Sequence, residues 1–430
     1  MLLRFSVQNY LSFKDVQTLD LVANVRHKEC LGMNAFSTQN PLCPEVLKTA
    51  AILGANASGK SNLLKALQVL RALVIRKEVV GPNPVALVKP FRFVSGKNSE
   101  PVCFSVELLL EGVPYEYSLA FSNGVVVWET LRVHGGEGKR WRTVFSRTLD
   151  PDKAIPTYSY RYGSGFGAGK KTIELRTSPD ATFLGTAVLF DIQAVTLVYQ
   201  WFKNQLVVIN EQASLNELFT IERIANDQSF KASVAHLMKA ADLGISDIRV
   251  EKRKVPAMSV AVNPLKGEAQ VKNEDREVIS VALSHEVDGQ SWTLPFEEES
   301  LGTRRFLHLA GPLIDLQDKE ITLCFDELEA SLHPLLLEAI LELFQKESTN
   351  KAGAQLIFTT HCDSLLDNDT VNPNTTLLRR DQIWFVDKNQ KLESSLYCLD
   401  EFEVRKSESI RRGYRIGRYK AIPLLIDLGE

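Results

Sequence analysis

No two of the six cysteines, Cys30, Cys43, Cys103, Cys324, Cys362 and Cys398, form a C-x-x-C pair. That absence removes the usual zinc spacing and gives no basis for a disulfide framework. The thiols are expected to be reduced and mostly buried, with Cys324 inside an apolar strand. No stretch approaches the roughly 20 apolar residues of a membrane-spanning helix, and Met1–Ser6 opens without the apolar core of a secretory signal. The expectation is a cytoplasmic protein with no membrane contact. Net charge is also scarce. Lys and Arg total 50 against 53 Asp and Glu, leaving −3, so any nucleic-acid surface has to be a local patch. No internal repeat or low-complexity tract appears. What remains is ordinary for a globular chain: 44% apolar and 24% charged residues, with 430 residues to supply two or three domains.

Leu3–Val7 and Val16–Val22 alternate apolar and polar residues and read as half-buried strands around a turn at Asn9–Asp15. Leu47–Leu53 is an apolar run ending on Gly54, which reads as a buried strand feeding a glycine loop. Leu63, Leu64, Leu67, Leu70 and Leu73 then recur near helical spacing. Two further strands are expected within Val102–Val127. Past His134 the texture changes. Helical stretches at Thr186–Asn204 and Glu217–Ala241 and a strand-like Val278–Leu283 carry no catalytic motif and read as an insertion. A helix Thr303–Leu316, a strand to Phe325, a helix after Pro334 and a strand Gln355–Thr360 follow. Strands alternating with helices imply a mostly parallel sheet. The expected division is 1–134 and 291–400 as two halves of one core, 135–290 as an inserted arm, and 401–430 as a basic tail.

Four elements carry chemistry. Gly54-Ala55-Asn56-Ala57-Ser58-Gly59-Lys60-Ser61, followed by Asn62, is a complete G-x-x-x-x-G-K-[ST] between a strand and a helix. Its glycines let backbone N–H groups curl around phosphates at the positive end of the helix. Lys60 is expected on the β and γ phosphates of ATP and Ser61 on Mg²⁺. The strand Ile321–Phe325 delivers Asp326 and Glu327 at its C-terminal end, where parallel sheets place ligands. Asp326 suits holding the Mg²⁺ and Glu327 suits polarising the attacking water. His361 ends the apolar strand Gln355–Thr360. Ser300, ahead of a helix, is either a simple N-cap or, with Gly302, part of an anion-facing turn.

Together these elements resemble the ABC-type ATPases of the SMC, RecF and OLD group. More closely, the chain resembles prokaryotic RloA-like abortive-infection AAA-family ATP-binding proteins. The likeness covers nearly the whole chain, including Arg4–Phe13, Gly54–Asn62, Asp326–Pro334 and Gly413–Pro423. It implies an α/β fold: a P-loop core with a mostly parallel sheet, an N-terminal antiparallel β layer and a partly helical arm. It also implies that His361 is a switch histidine and that Ser300 and Gly302 form the signature turn, with Leu301 where a glycine is usual. The pair would complete the ATP site of a second copy in a homodimer or higher oligomer, and Ser331–Pro334 would cross that dimer. A separately encoded effector, such as a nuclease-like Toprim protein, would be controlled in phage defence. DNA repair or chromosome maintenance of the RecF or SMC kind is the alternative. A built-in nuclease is disfavoured, because no spaced acidic triad follows His361; Asp363, Asp367 and Asp369 crowd the switch segment. No glutamine stands near Phe91-Arg92-Phe93, so the Q-loop role has no residue. The tail holds Arg405, Lys406, Arg411, Arg412, Arg415, Arg418 and Lys420 among Tyr414 and Tyr419. It reads as a solvated basic face or as a docking surface for DNA, RNA or protein.

Overall fold

The computed structural model describes residues 1–27, 31–76, 83–94, 100–135, 140–209, 214–241, 244–263, 268–316, 318–330, 332–367, 377–405 and 408–423. The strands in chain order begin with β1 (Leu2–Gln8), β2 (Gln17–Asp20), β3 (Ala35–Ser37), β4 (Glu45–Leu47), β5 (Thr49–Leu53), β6 (Val102–Leu110), β7 (Val113–Ser122), β8 (Val125–Gly135) and β9 (Arg140–Leu149). They continue with β10 (Tyr158–Tyr162), β11 (Leu206–Ile209), β12 (Ile245–Asn263), β13 (Glu268–Val287), β14 (Gln290–Pro295), β15 (Thr322–Phe325), β16 (Gln355–Thr360), β17 (Ile383–Lys388) and β18 (Ser394–Cys398). The chain forms two compact units. One comprises Met1–Asn210, Leu316–Glu329 and Leu337–Glu430; the other comprises Glu211–Asp315 and Ala330–Leu336.

The first unit holds two large sheets. A seven-stranded antiparallel sheet has the order β10-β9-β8-β7-β6-β1-β2. The alternation in β1 buries Leu3, Phe5 and Val7 and leaves Arg4 and Ser6 partly open, as expected where one sheet face meets the core. A six-stranded sheet has the order β11-β15-β16-β5-β17-β18, parallel throughout except for the β17–β18 pair. Every residue of β5, β15 and β16 is buried, the pattern of parallel strands covered on both faces.

Two boundaries depart from the expectation. The antiparallel sheet does not stop at 134 but runs on through β9 and β10 to Tyr162. The chain then enters the parallel sheet through β11, which pairs with β15 from Leu206↔Thr322 to Ile209↔Phe325. Residues of 135–210 thus belong to the core, and the second unit begins at Glu211 and runs to Asp315, past the expected end at 290. The helix read over Thr186–Asn204 is two short helices, Phe183–Val188 and Gln193–Gln200, leading to that strand. β11 is only four residues long, and although three of its four residues are β-branched, it directly continues a helical run, so its short apolar stretch read as that helix's end.

The second unit packs the helices Ser214–Asn226, Gln228–Ala240 and Leu301–Asp315 with a β-ribbon. Strands β12 and β13 pair from Ile245↔His285 out to Asn263↔Glu268, and β14 adds to the ribbon's base. Helix packing is close at Gly311: a Cβ there would lie 2.4 Å from Thr220 Oγ1, and Thr220 Oγ1 donates to the His308 carbonyl at 2.9 Å.

Candidate functional site

Strand order creates the site. β16 lies between β5 and β15, so their C-terminal ends share one sheet edge. β5 runs into the glycine loop and the helix Lys60–Ile75; β15 ends at Asp326 and Glu327; β16 ends at His361. A cleft of about 480 Å³ opens there, walled by residues 56–62 with Lys65, Glu327, His361 and Lys388.

The loop's glycines answer to close neighbours. A Cβ on Gly54 would sit 2.4 Å from the Val386 carbonyl oxygen of β17. Gly59 has φ 113°, and a Cβ there would lie 2.5 Å from Ser394 Oγ and 2.6 Å from Ser12 Oγ. Asn62 is tied back by its Nδ2 donating to Ser12 Oγ at 2.8 Å. The Asn62 N–H donates to the Gly59 carbonyl at 3.0 Å, while the Lys60 and Ser61 N–H groups precede the first helical hydrogen bonds and carry the positive end of Lys60–Ile75. Ser58 Oγ is buried in the cleft wall without a hydrogen-bond partner. These are the features of an oxyanion cradle.

Lys60 is 5% exposed, and its Nζ donates to the carbonyls of Gly54 at 2.8 Å and Ala55 at 3.1 Å and lies 3.1 Å from His361 Nε2. Burial pushes the ammonium down to about 8, against the raising pull of Glu327, Glu329 and Asp326. Burial and the Lys60 charge push His361 below its ordinary value. The imidazole is therefore neutral at pH 7, and Nε2 accepts from Lys60.

A polyanion in the cleft would draw the Lys60 pKa back up, so binding above pH 8 takes up a proton. The affinity for a non-hydrolysable ATP analogue is expected to fall about tenfold between pH 7 and pH 9. Calorimetric titration at the two pH values checks this; equal affinities would remove Lys60 as the principal cation.

The acid pair is set by a residue the sequence did not reveal. Thr359 Oγ1 donates to Asp326 Oδ1 at 2.7 Å and accepts from the Glu327 N–H at 2.7 Å. Glu327 holds φ 52°, a left-handed conformation that a non-glycine residue keeps only when its surroundings fix it. Glu329 accepts from the His361 N–H. Lys388, at the end of β17, brings a further cation to the cleft; it belongs to no motif and is placed by strand adjacency alone. A second cleft of about 400 Å³ shares Asn62 and Lys388 with the first and is lined by Leu11, Pro90, Phe93 and Leu392. Phe93 is 61% exposed there, an aromatic face of the size of a base.

The donors suit Mg²⁺ carried in with phosphates. Ser61 lines the cleft, while Asp326 is buried next to Glu327 with its Oδ1 accepting from Thr359 and does not itself line it. Both supply hard oxygens, and Mg²⁺ binds through one or two carboxylates with water and phosphate completing its shell. Among the described residues no cluster of three or more His, Cys, Asp or Glu could hold a metal on its own.

Ser300 and Gly302 belong to the second unit. Ser300 Oγ accepts from the Thr303 N–H at 3.1 Å, so the hydroxyl caps the helix Leu301–Asp315, and Ser300 is exposed. Ser331, the first residue of the expected dimer-crossing segment, lies outside the described residues.

The tail is not a free basic face. Arg411 pairs with Asp363 and Asp367, Arg415 with Asp363, and Arg418 with Glu408. Tyr414 and Tyr419 stack on Phe385 of β17 at interplanar angles of 13° and 14°, and Tyr419 is fully buried. Tyr419 is core and Tyr414 half-buried against Phe385, and three of the tail's arginines have carboxylate partners. Lys406 lies outside the described residues.

The glycine loop and this cleft, at the ends of three adjacent parallel strands, define a P-loop nucleotide-binding domain of the AAA kind. Residues 50–367 match the family described as "AAA domain, putative AbiEii toxin, Type IV TA system", and the chain belongs to that family. No curated protein matches the chain. Solved structures similar to it include an SMC head bound to the C-winged helix domain of ScpA, at 14% identity, covering 92% of this chain and 97% of that one, with TM-score 0.42. Another is the SMC head domain from Thermotoga maritima, at 13% identity, covering 94% and 99%, with TM-score 0.40. A third is the Smc head with an extended coiled coil bound to the C-terminal domain of ScpA from Pyrococcus furiosus, at 12% identity, covering 97% and 98%, with TM-score 0.41. Among the described residues no helix is long and apolar enough to cross a membrane.

Proposed function

We propose that the chain binds and hydrolyses ATP, and that this cycle switches a separately encoded toxic effector in abortive-infection defence. The observation that carries the ATPase reading is the convergence of Lys60, Glu327 and His361 on one cleft at the ends of three adjacent strands. The defence role is supported by the description of the family to which the chain belongs.

Lys60, the Ser58 hydroxyl and the first-turn N–H groups hold the phosphates. Ser61 and Asp326 would hold Mg²⁺, which when bound neutralises charge on the β and γ oxygens. Glu327 orients a water and draws on its proton as the water oxygen attacks the γ-phosphorus and ADP leaves. Thr359 keeps Glu327 and Asp326 in register. His361, neutral and beside Lys60, faces the terminal phosphate. Ser300 and Gly302 complete the site from a second copy, so that ATP closes a homodimer and hydrolysis opens it.

That composite site has a direct test. Ser300→Arg and Lys60→Ala chains, each inactive alone, should recover partial ATPase activity on mixing, because one heterodimer site is intact. No recovery from dimers shown to exchange leaves Ser300 as a helix cap only. For the defence role, cells carrying the native locus should resist phage, and a Lys60→Ala locus should not. Equal protection by both would detach defence from the ATPase.

A further inference from the structure

We infer that the C-terminal segment is a positioning element of the nucleotide site: Arg411 and Arg415 fix Asp363 and thereby the segment that carries His361. The inference rests on the reading of His361 as part of the ATPase machinery.

The switch segment is gripped from two sides. On one side Glu329 accepts from the His361 N–H. On the other, Asp363, two residues along, takes both arginines. Arg411 Nη2 donates to Asp363 Oδ1 at 3.1 Å while its Nη1 donates to Asp367 Oδ2 at 2.7 Å. Arg415 Nε donates to Asp363 Oδ2, and Arg415 Nη2 to Oδ1 at 3.3 Å. Between the two grips the Cys362 N–H donates to Thr360 Oγ1 at 3.0 Å. Burial pushes the Asp363 carboxyl up, but the two arginines outweigh it and hold the acid below its ordinary range.

The arginines are themselves anchored to the sheet. They sit on the short helix Ile410–Arg415, whose N-cap Ser409 accepts from the Arg412 N–H at 3.2 Å. Tyr414 and Tyr419 stack on Phe385, and Tyr397 of β18 donates to the Tyr419 carbonyl at 2.8 Å. β17, which carries Phe385, pairs directly with β5, the strand that feeds the phosphate loop. The tail thus ties the switch strand's end to the neighbour of the loop strand. Arg415 and His361 border one groove of about 900 Å³ together with loop residues 54–58.

Exposure separates positioning from stability. Arg415 is 60% exposed in its side chain, Arg411 31% and Asp363 22%, and ion pairs this close to the surface contribute on the order of 1 kcal/mol or less to folding. A catalytic group displaced by even a fraction of an ångström loses rate far beyond what the displacement costs in packing. Removing the grip should therefore show in turnover and not in melting.

The test compares Arg411→Ala/Arg415→Ala, Asp363→Asn, their triple combination and Arg411→Lys/Arg415→Lys in the full-length protein. We expect kcat for ATP to fall at least tenfold in the first two, with KM within about twofold and melting unchanged. The triple variant should be no slower than the double, because all three act through one network of ion pairs. The lysine pair, which keeps the charge but loses the forked contacts, should recover only part of the rate. Should the double alanine variant not fold, Asp363→Asn, which keeps volume and shape, decides alone. Wild-type kcat in the variants overturns the inference, as does a fall in kcat that tracks melting. A wild-type protein with no ATPase activity would overturn the proposed function instead.

Discussion

Lys60→Ala is expected to remove nucleotide binding, weakening ATP by roughly 100-fold or more, about 3 kcal/mol, the scale of a lost charge-assisted hydrogen bond to phosphate. The folded protein should not suffer. Lys60 is buried, and that burial has already pushed its ammonium down to about 8, so at neutral pH its charge opposes folding. Its donors end on carbonyls of its own loop and on His361. The variant should melt no lower than wild type while losing ATP binding, a split that separates a functional charge from a structural one. Fluorescent-nucleotide titration and a melting curve check it. Wild-type affinity would sink the phosphate-cradle assignment.

Glu327→Gln should lower turnover by roughly 100-fold or more, about 3 kcal/mol of barrier, and leave ATP binding in place. The amide keeps the side chain's size, and the backbone that sets its direction is held by Thr359, which the substitution does not touch. In the proposed mechanism Ser61 and Asp326 would still be there to hold Mg²⁺. ATP would then accumulate a closed dimer, seen as a doubling of mass by size-exclusion with light scattering. A variant that turns over at the wild-type rate would show that another group activates the water.

The parts of this site legible in the sequence are those whose chemistry demands a residue type at a fixed place along the chain. Gly54, Gly59, Lys60 and Ser61 lie in one continuous loop, and Asp326, Glu327 and His361 each end an apolar strand. The rest comes from which strand lies beside which. Thr359 looks like any β-branched strand residue until β16 is seen between β5 and β15, where its hydroxyl reaches both members of the acid pair. Lys388 reaches the cleft because β17 pairs with β5. The tail misled for the same reason. Glu403 and Glu408 stand within the tail, and Glu408 meets Arg418, but the carboxylates that meet Arg411 lie 44 and 48 residues earlier in the chain. β9 and β10 were hidden by the absence of any catalytic motif beyond Val133, although they continue the sheet begun by β1.

The central claim, that this cleft hydrolyses ATP, is tested most directly by single-turnover release of phosphate from ATP labelled at the γ position, with protein in excess. The account predicts Mg²⁺-dependent release by wild type, stable bound ATP in Glu327→Gln, and neither binding nor release in Lys60→Ala. ATP bound by wild type in the presence of Mg²⁺ and never cleaved would contradict it, and so would release that survives Lys60→Ala.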